Sequence, residues 1–441
     1  MYRSAAPVAS RDAVSRMEVQ DRWDEHLRRR EAELIAEARS ASGSGMGLPK
    51  SVSGSQVVPQ NGDKRSFKVL NQNDRFEKVS ARVTFVSEHA VIYLDEKVPA
   101  GGFTNQDLVS LAAEFDYVIH PVVSTSFGEE SDLDGNDRVI ILFTPAVNRL
   151  TPAGSDGYVA GFFYGLDLLE GRSGSNEGEI FYAMVPDPAG EEGPVIPRYA
   201  ALNIIPAVLA HEFEHMVHFN QRMLVSEAES TESLWLSEAL AQMAEDLVGQ
   251  AFAGANNLSK ANQYQSGNWG RAQRFLENPS QVSVLASLSP GTLAERGAGW
   301  LLLKHLHGVP GQADLLSTLV SSTLTGVENL TAASGMMWPE VVSNWAGALF
   351  LDGTGVPVRR ELDVWGLNLR VALAESDGTY PLETRAMGGA SAVFSGTLWS
   401  SAPYYFIITP PVGGVTLSAG GPMGTLPEGA LGLQTLVVRL R

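Results

Sequence analysis

The chain has 441 residues, no cysteine, and 50 acidic against 32 basic side chains, a formal net charge of −18. Without a thiol there is no disulfide framework, no cysteine nucleophile and no cysteine-ligated zinc or iron–sulfur centre, and the acidic balance argues against nucleic acid and anionic lipid as partners. No uncharged apolar run reaches the ~18 residues of a membrane span, and the opening residues lack the charged-then-apolar pattern of a secretion leader.

At roughly 150 residues per domain, the length suggests two or three domains. Residues 1–64 read as an N-terminal helix and a flexible linker. Val14, Met17, Val19, Trp23, Leu27, Leu34 and Ile35 repeat at about 3.6 residues, which predicts a helix over Arg11–Ala38. The Ser/Gly/Pro-rich stretch Ser40–Asp63 has no period and reads as the linker. Residues 65–355 read as the main domain. Strands are predicted at Arg65–Leu70, Ala81–Val86 and Ala90–Leu94, and helical spacing covers Leu108–Ile119. Arg138–Thr144 is almost wholly apolar and β-branched, as in a strand buried on both faces. Gly157–Tyr164 and Glu179–Val185 are two more strand candidates, and helices are predicted at 206–223, 230–249, 259–276 and 292–307. From about Asp363, turns separate runs such as YYFIITPP and TLVVRLR, so 356–441 reads as a small β-rich domain.

The chemistry is concentrated in His211-Glu212-Phe213-Glu214-His215. A helix brings residues i and i+4 onto one face, so two imidazoles can meet one metal ion. Glu212 lies about 100° further round, where its carboxylate reaches a water polarised by the ion rather than the ion itself; this is the logic of zinc hydrolases. Pro206 suits the first turn of that helix. A zinc hydrolase needs a third protein ligand. The extended pattern, with glycine at 218 and histidine at 221, fails because the chain has His218 and Gln221. His218 reads as a packed or solvent-facing supporting residue. Glu238, among Leu234, Trp235, Ala239 and Leu240, is the better third ligand: a carboxylate on a buried face is costly without a partner. The 22 residues between His215 and Glu238 allow the chain to turn back. Glu227, Glu229 and Glu232 lie in a polar stretch and read as solvated loop or cap residues, while Glu245 recurs on the Glu238 face as a supporting residue.

The segments DLDGNDRVIILFTPAVN, GYVAGFF, SNEGEIFYAMV, LAHEFEHMVHFN and LWLSEALAQMAEDLVG, in this order, resemble the hyicolysin family of bacterial neutral zinc metallopeptidases, within the gluzincins. The resemblance covers about Phe67–Pro310 and extends more loosely into the tail. It implies an α+β, zincin-like catalytic domain: a mixed sheet with an active-site helix, a helical lower subdomain and a C-terminal β domain. It also implies one zinc ion, hydrolysis of protein or peptide substrates, and a location outside the cytoplasm of a bacterium, extracellular or in the cell envelope. The family's metal ligands fall on His211, His215 and Glu238, and its catalytic glutamate on Glu212. Where relatives carry a tyrosine that steadies the oxyanion, this chain has Arg296, which leaves Arg296 and His305 as candidate oxyanion stabilisers.

Two further sites are candidates. Asp132, Asp134 and Asn136 place oxygen ligands at alternate positions, as calcium loops do, although the EF-hand pattern is incomplete and a plain turn is the competing reading. Tyr158, Val159, Ala160 and Gly161 form a candidate edge strand that pairs with an extended substrate. No phosphate-binding glycine loop and no Gly-x-Ser-x-Gly elbow is present. The expected activity is zinc-dependent metalloendopeptidase; the alternatives are an aminopeptidase, or a non-catalytic surface or binding protein on a zincin scaffold.

Overall fold

A computed structural model of the protein describes residues 11–42, 57–285, 291–356, 359–362, 368–374, 379–388, 393–397, 399–409, 416 and 435–438. The fold is α+β, as expected. Helix α1, Arg11–Ser42, comes first. A six-stranded mixed sheet follows in the order β1-β2-β3-β4-β6-β5, with β1 Lys64–Leu70, β2 Phe76–Val86, β3 Ala90–Asp95, β4 Val139–Phe143, β5 Gly161–Phe163 and β6 Ile180–Ala183. The first three strands form an antiparallel meander; β3, β4 and β6 run parallel, and β5 returns antiparallel at one edge. All five residues of β4 are buried, as its unbroken apolar run predicts.

The parallel step from β3 to β4 needs a crossover. It is made by α2 Asn105–Glu114, a π-turn over Phe115–Ile119, and α3 His120–Phe127. Thr104 and Asp107 form a reciprocal capping box at the start of α2. The sequence reading ended this helix at Ile119. It runs eight residues further, through the π-turn and into α3, with Pro121 the second residue of that last segment.

After the short α4, Pro145–Asn148, comes the long helix α5, Arg198–Phe219. The expected start at Pro206 is corrected, since the helix begins two turns earlier and Pro206 lies inside it. An interior proline leaves the carbonyl four residues back without its donor. Here the Gln263 side chain on a neighbouring helix supplies it, donating to Leu202 O at 3.1 Å and Asn203 O at 2.7 Å. That neighbour is α7, Leu258–Leu276, which packs with α6 Leu234–Gly254 and α8 Leu293–Gly308 into the helical half. Gly297 is where α8 meets α7: a Cβ there would lie 2.2 Å from Arg271 O, so only glycine permits the approach. It brings Arg296 and Arg271 side by side. Three helices that the sequence reading missed follow, α9 Leu315–Ser321, α10 Gly326–Ser334 and α11 Trp338–Leu351.

Half of the expected C-terminal β domain, 356–441, lies outside the described residues. What is described is α12 Leu369–Ala372 and a parallel pair, β7 Arg385–Met387 and β8 Phe406–Ile408. Tyr380 and Tyr405 fasten this region to α11 by donating to Leu349 O and Ala346 O. Among the described residues, no helix is long and apolar enough to cross a membrane.

Candidate metal centre

His211 and His215 lie one turn apart on α5, with ring centroids 5.0 Å apart. Helix α6 packs against them and delivers Glu238: its Oε2 is 3.4 Å from His211 Nε2 and its Oε1 is 3.8 Å from His215 Nε2. All three side chains are buried, and one ligand atom from each lies within 4.8 Å of the others. His211 Nε2, His215 Nε2 and Glu238 Oε1 are buried without a hydrogen-bond partner, and so is Glu212 Oε1 beside them. Unpartnered buried polar atoms are costly. Those of His211, His215 and Glu238 lie close enough together to fit a cation-binding site, and two imidazole nitrogens with one carboxylate oxygen are a donor set that suits zinc.

A supporting layer fixes these side chains. Glu245 Oε1 is 2.7 Å from His211 Nδ1; a carboxylate only accepts, so Nδ1 carries a proton and Nε2 is the atom turned toward Glu238. Asn268 donates to Glu245 Oε2 at 3.4 Å, and Arg271 donates to Asn268 Oδ1 at 3.3 Å, a relay from α7 through α6 to α5. Ser237 Oγ is 3.4 Å from His215 Nδ1. Sequence reasoning found Glu245 by its seven-residue spacing but not Asn268 or Arg271, which no local pattern marks.

The candidate oxyanion stabiliser Arg296 is buried on α8. Its guanidinium pairs tightly with Glu238 Oε2 and donates to Asp21 O at 2.7 Å. Burial works to raise the Glu238 carboxyl, but Arg296 and the two histidines outweigh it and hold it well below the usual carboxylate range. Burial likewise opposes a charge on His211, yet Glu238 and Glu245 prevail and its pKa rises. At His215 burial, with Arg28 adding to it, outweighs the support of Glu238 and lowers the pKa. His218 is buried, not solvent-facing, with Nδ1 3.5 Å from Glu214 Oε1; burial pushes it down to about 3. His305 is fully buried nine residues beyond Arg296 on α8, about 13 Å along the helix, so the two cannot serve one oxyanion together.

Glu212 faces the sheet edge. Its Oε2 accepts from the Phe163 N–H of β5 at 3.0 Å, and burial pushes its carboxyl up to about 7. The expected edge strand Tyr158–Gly161 is shifted: only Gly161 belongs to β5, which continues to Phe163. Val159 is drawn off to Thr151, its N–H donating to Oγ1 at 3.1 Å. Helix α1 lies along the outer side of this edge. Gln20 donates to Gly161 O at 2.8 Å and accepts from Ala160 N–H at 2.7 Å, while Arg28 donates to Phe163 O at 2.7 Å. The Asp24 carboxylate of α1 lies within 4.8 Å of ligand atoms of His211 and Glu212, and burial with the nearby Glu212 and Glu238 charges raises its pKa. The sequence reading gave α1 no part in the site.

Of the other acidic candidates, Glu227 and Glu229 are exposed, as expected for a solvated loop. Glu232 is not: it is buried, accepts from Ser233 and Gly326 N–H groups at 2.6 Å, and lies 3.6 Å from Arg222. It braces the loop before α6. The Asp132 and Asp134 carboxylates meet that of Glu179, a partner that sequence reasoning missed, within 4.8 Å. Burial pushes the Glu179 carboxyl up to about 8.

No family model matches the chain. The neutral metalloprotease ShpI of Staphylococcus hyicus is 29% identical to it over 189 residues, 43% of this chain and 41% of that protein. The chain is related to a metalloprotease. It spans about two fifths of the length of the curated relative it matches.

Proposed function

We propose that the protein is a zinc metalloendopeptidase of the hyicolysin type, working outside the cytoplasm, with zinc held by His211, His215 and Glu238. The reading rests on one observation above all: His211 Nε2, His215 Nε2 and Glu238 Oε1 converge without partners, with Glu212 Oε1 beside them. Bound there, zinc supplies a Lewis acid for the scissile carbonyl and lowers the pKa of water toward ~7. Glu212 takes the proton of the attacking water and returns it to the leaving amine. Its hydrogen bond from Phe163 N–H fixes the base relative to β5, whose outer edge pairs with an extended peptide. Glu245 orients His211. Arg296, through its pair with Glu238, is a positioning residue for that ligand.

Metal analysis combined with digestion of an unbiased peptide library tests this, before and after a cut in residues 43–56. One zinc per chain, cleavage at internal bonds, and loss of cleavage with 1,10-phenanthroline are the expected results. Release of N-terminal residues alone would favour the aminopeptidase, and zinc without any hydrolysis the non-catalytic scaffold.

The same reading assigns calcium to Asp132, Asp134, Asn136 and Glu179. Asp134 Oδ1, Asn136 Oδ1 and Glu179 Oε2 are buried without partners. Asp132 Oδ1 accepts from the N–H groups of Asn136 and Asp137 at 2.8 and 3.0 Å, curling the loop around the cluster. Calcium is expected to raise the melting temperature, since about 100 Kd of a ligand specific for the native state adds about 2.7 kcal/mol. Glu179→Gln is expected to remove that increment. An unchanged melting curve in millimolar calcium would exclude the site.

A further inference from the structure

Helix α1 turns charge inward. Asp21, Asp24, Glu25 and Glu31 recur at helical spacing and are only 2–4% exposed. Burial of a charge is tolerated when it is paired and hydrogen-bonded, and these side chains find partners on the segments packed against α1. Asp21 pairs with Arg271 at 2.6 Å; Glu25 accepts from Gly291 N–H at 2.8 Å, and Glu31 from Gly165 N–H at 2.6 Å. Gln20 and Arg28 take the outward main-chain groups of Gly161 and Phe163, where an extended peptide would pair. Asp24 accepts from Gln20 of its own helix and reaches within 4.8 Å of His211 and Glu212.

We infer that α1 is a built-in inhibitor: it fills the substrate groove along β5 and sets the Asp24 carboxylate against a metal-holding histidine and the general base, so that the chain is latent until α1 is displaced. This rests on the metallopeptidase reading of the site. The groups that α1 satisfies are those a substrate needs, so substrate and α1 compete for one place. A tethered segment meets its site at an effective concentration of about 1 mM. Cutting the tether in ~1 µM protein lowers that by about 10³ and exposes the groove.

The test uses the full zinc-loaded chain with a specific cleavage sequence placed in residues 43–56, folded intact and then cut. Binding of a fluorescent hydroxamate and extraction of zinc by a chelator report access, independently of turnover. Both are expected to rise about 10-fold or more on cutting. A synthetic peptide of residues 11–42 should close the site again, and the same peptide with Asp24→Ala should do so about 10-fold less well. Equal hydroxamate binding before and after the cut would overturn the inference, as would an Asp24→Ala peptide that closes the site as well as the parent. If cutting opens the site but no peptide is hydrolysed, the occlusion stands and the peptidase reading falls. Hydrolysis and hydroxamate binding already complete in the intact chain would have the reverse meaning.

Discussion

Glu212→Gln is expected to lower peptide hydrolysis by about 10²–10⁴-fold in the cut protein while zinc content stays the same. The substitution keeps the side chain's volume, and its amide oxygen can still accept from Phe163 N–H, now 3.0 Å from Glu212 Oε2. The tie between α5 and β5 therefore survives, and what disappears is an atom able to take a proton. Turnover of an internally quenched peptide, with zinc measured on the same sample, checks this. Activity within a few-fold of the parent would remove Glu212 from the role of base.

Glu238→Ala is expected to cost the metal-free protein about 3–5 kcal/mol, the usual penalty for stranding one member of a buried ion pair. The stranded group is Arg296, buried on α8 and held otherwise by Asp21. Urea unfolding of the stripped protein measures it. Replacing both residues, Glu238→Leu with Arg296→Met, should recover most of the loss, because the pair is then absent rather than broken. Zinc affinity should not recover in that double variant. The two readouts separate the structural and metal-holding parts of one carboxylate, and a loss below about 1 kcal/mol would show that Arg296 is adequately partnered without it.

The parts of the site written into local pattern were legible in the sequence. His211 and His215 follow from four-residue spacing; Glu238 follows from the apolar neighbours that make an unpartnered carboxylate improbable; β4 follows from an unbroken apolar run. What was missed depends on partners far along the chain. The apolar period of α1 marks Trp23, Leu27 and Ile35, but not Asp21 and Glu31, whose place is decided by Arg271, Arg296 and the Gly165 N–H. The apparent helix start at Pro206 was overruled by Gln263, an amide from another helix that makes an interior proline tolerable. The pairing of Arg296 with Glu238 joins residues 58 apart, which no local pattern marks. Asp132 and Asp134 announced a loop, yet Glu179 enters it from the strand side of the sheet, 45 or more residues away.

The outer rim of β5 carries a last consequence. A sheet margin with bare amides and carbonyls is a template on which a second molecule can add its own strand. Here those groups are answered by the side chains of Gln20, Arg28 and Glu212, which cannot propagate a ladder. With α1 seated, this rim offers no open template for self-association; with it gone, the short length of β5 and the Glu212 carboxylate on Phe163 N–H are what limit the growth of aggregates.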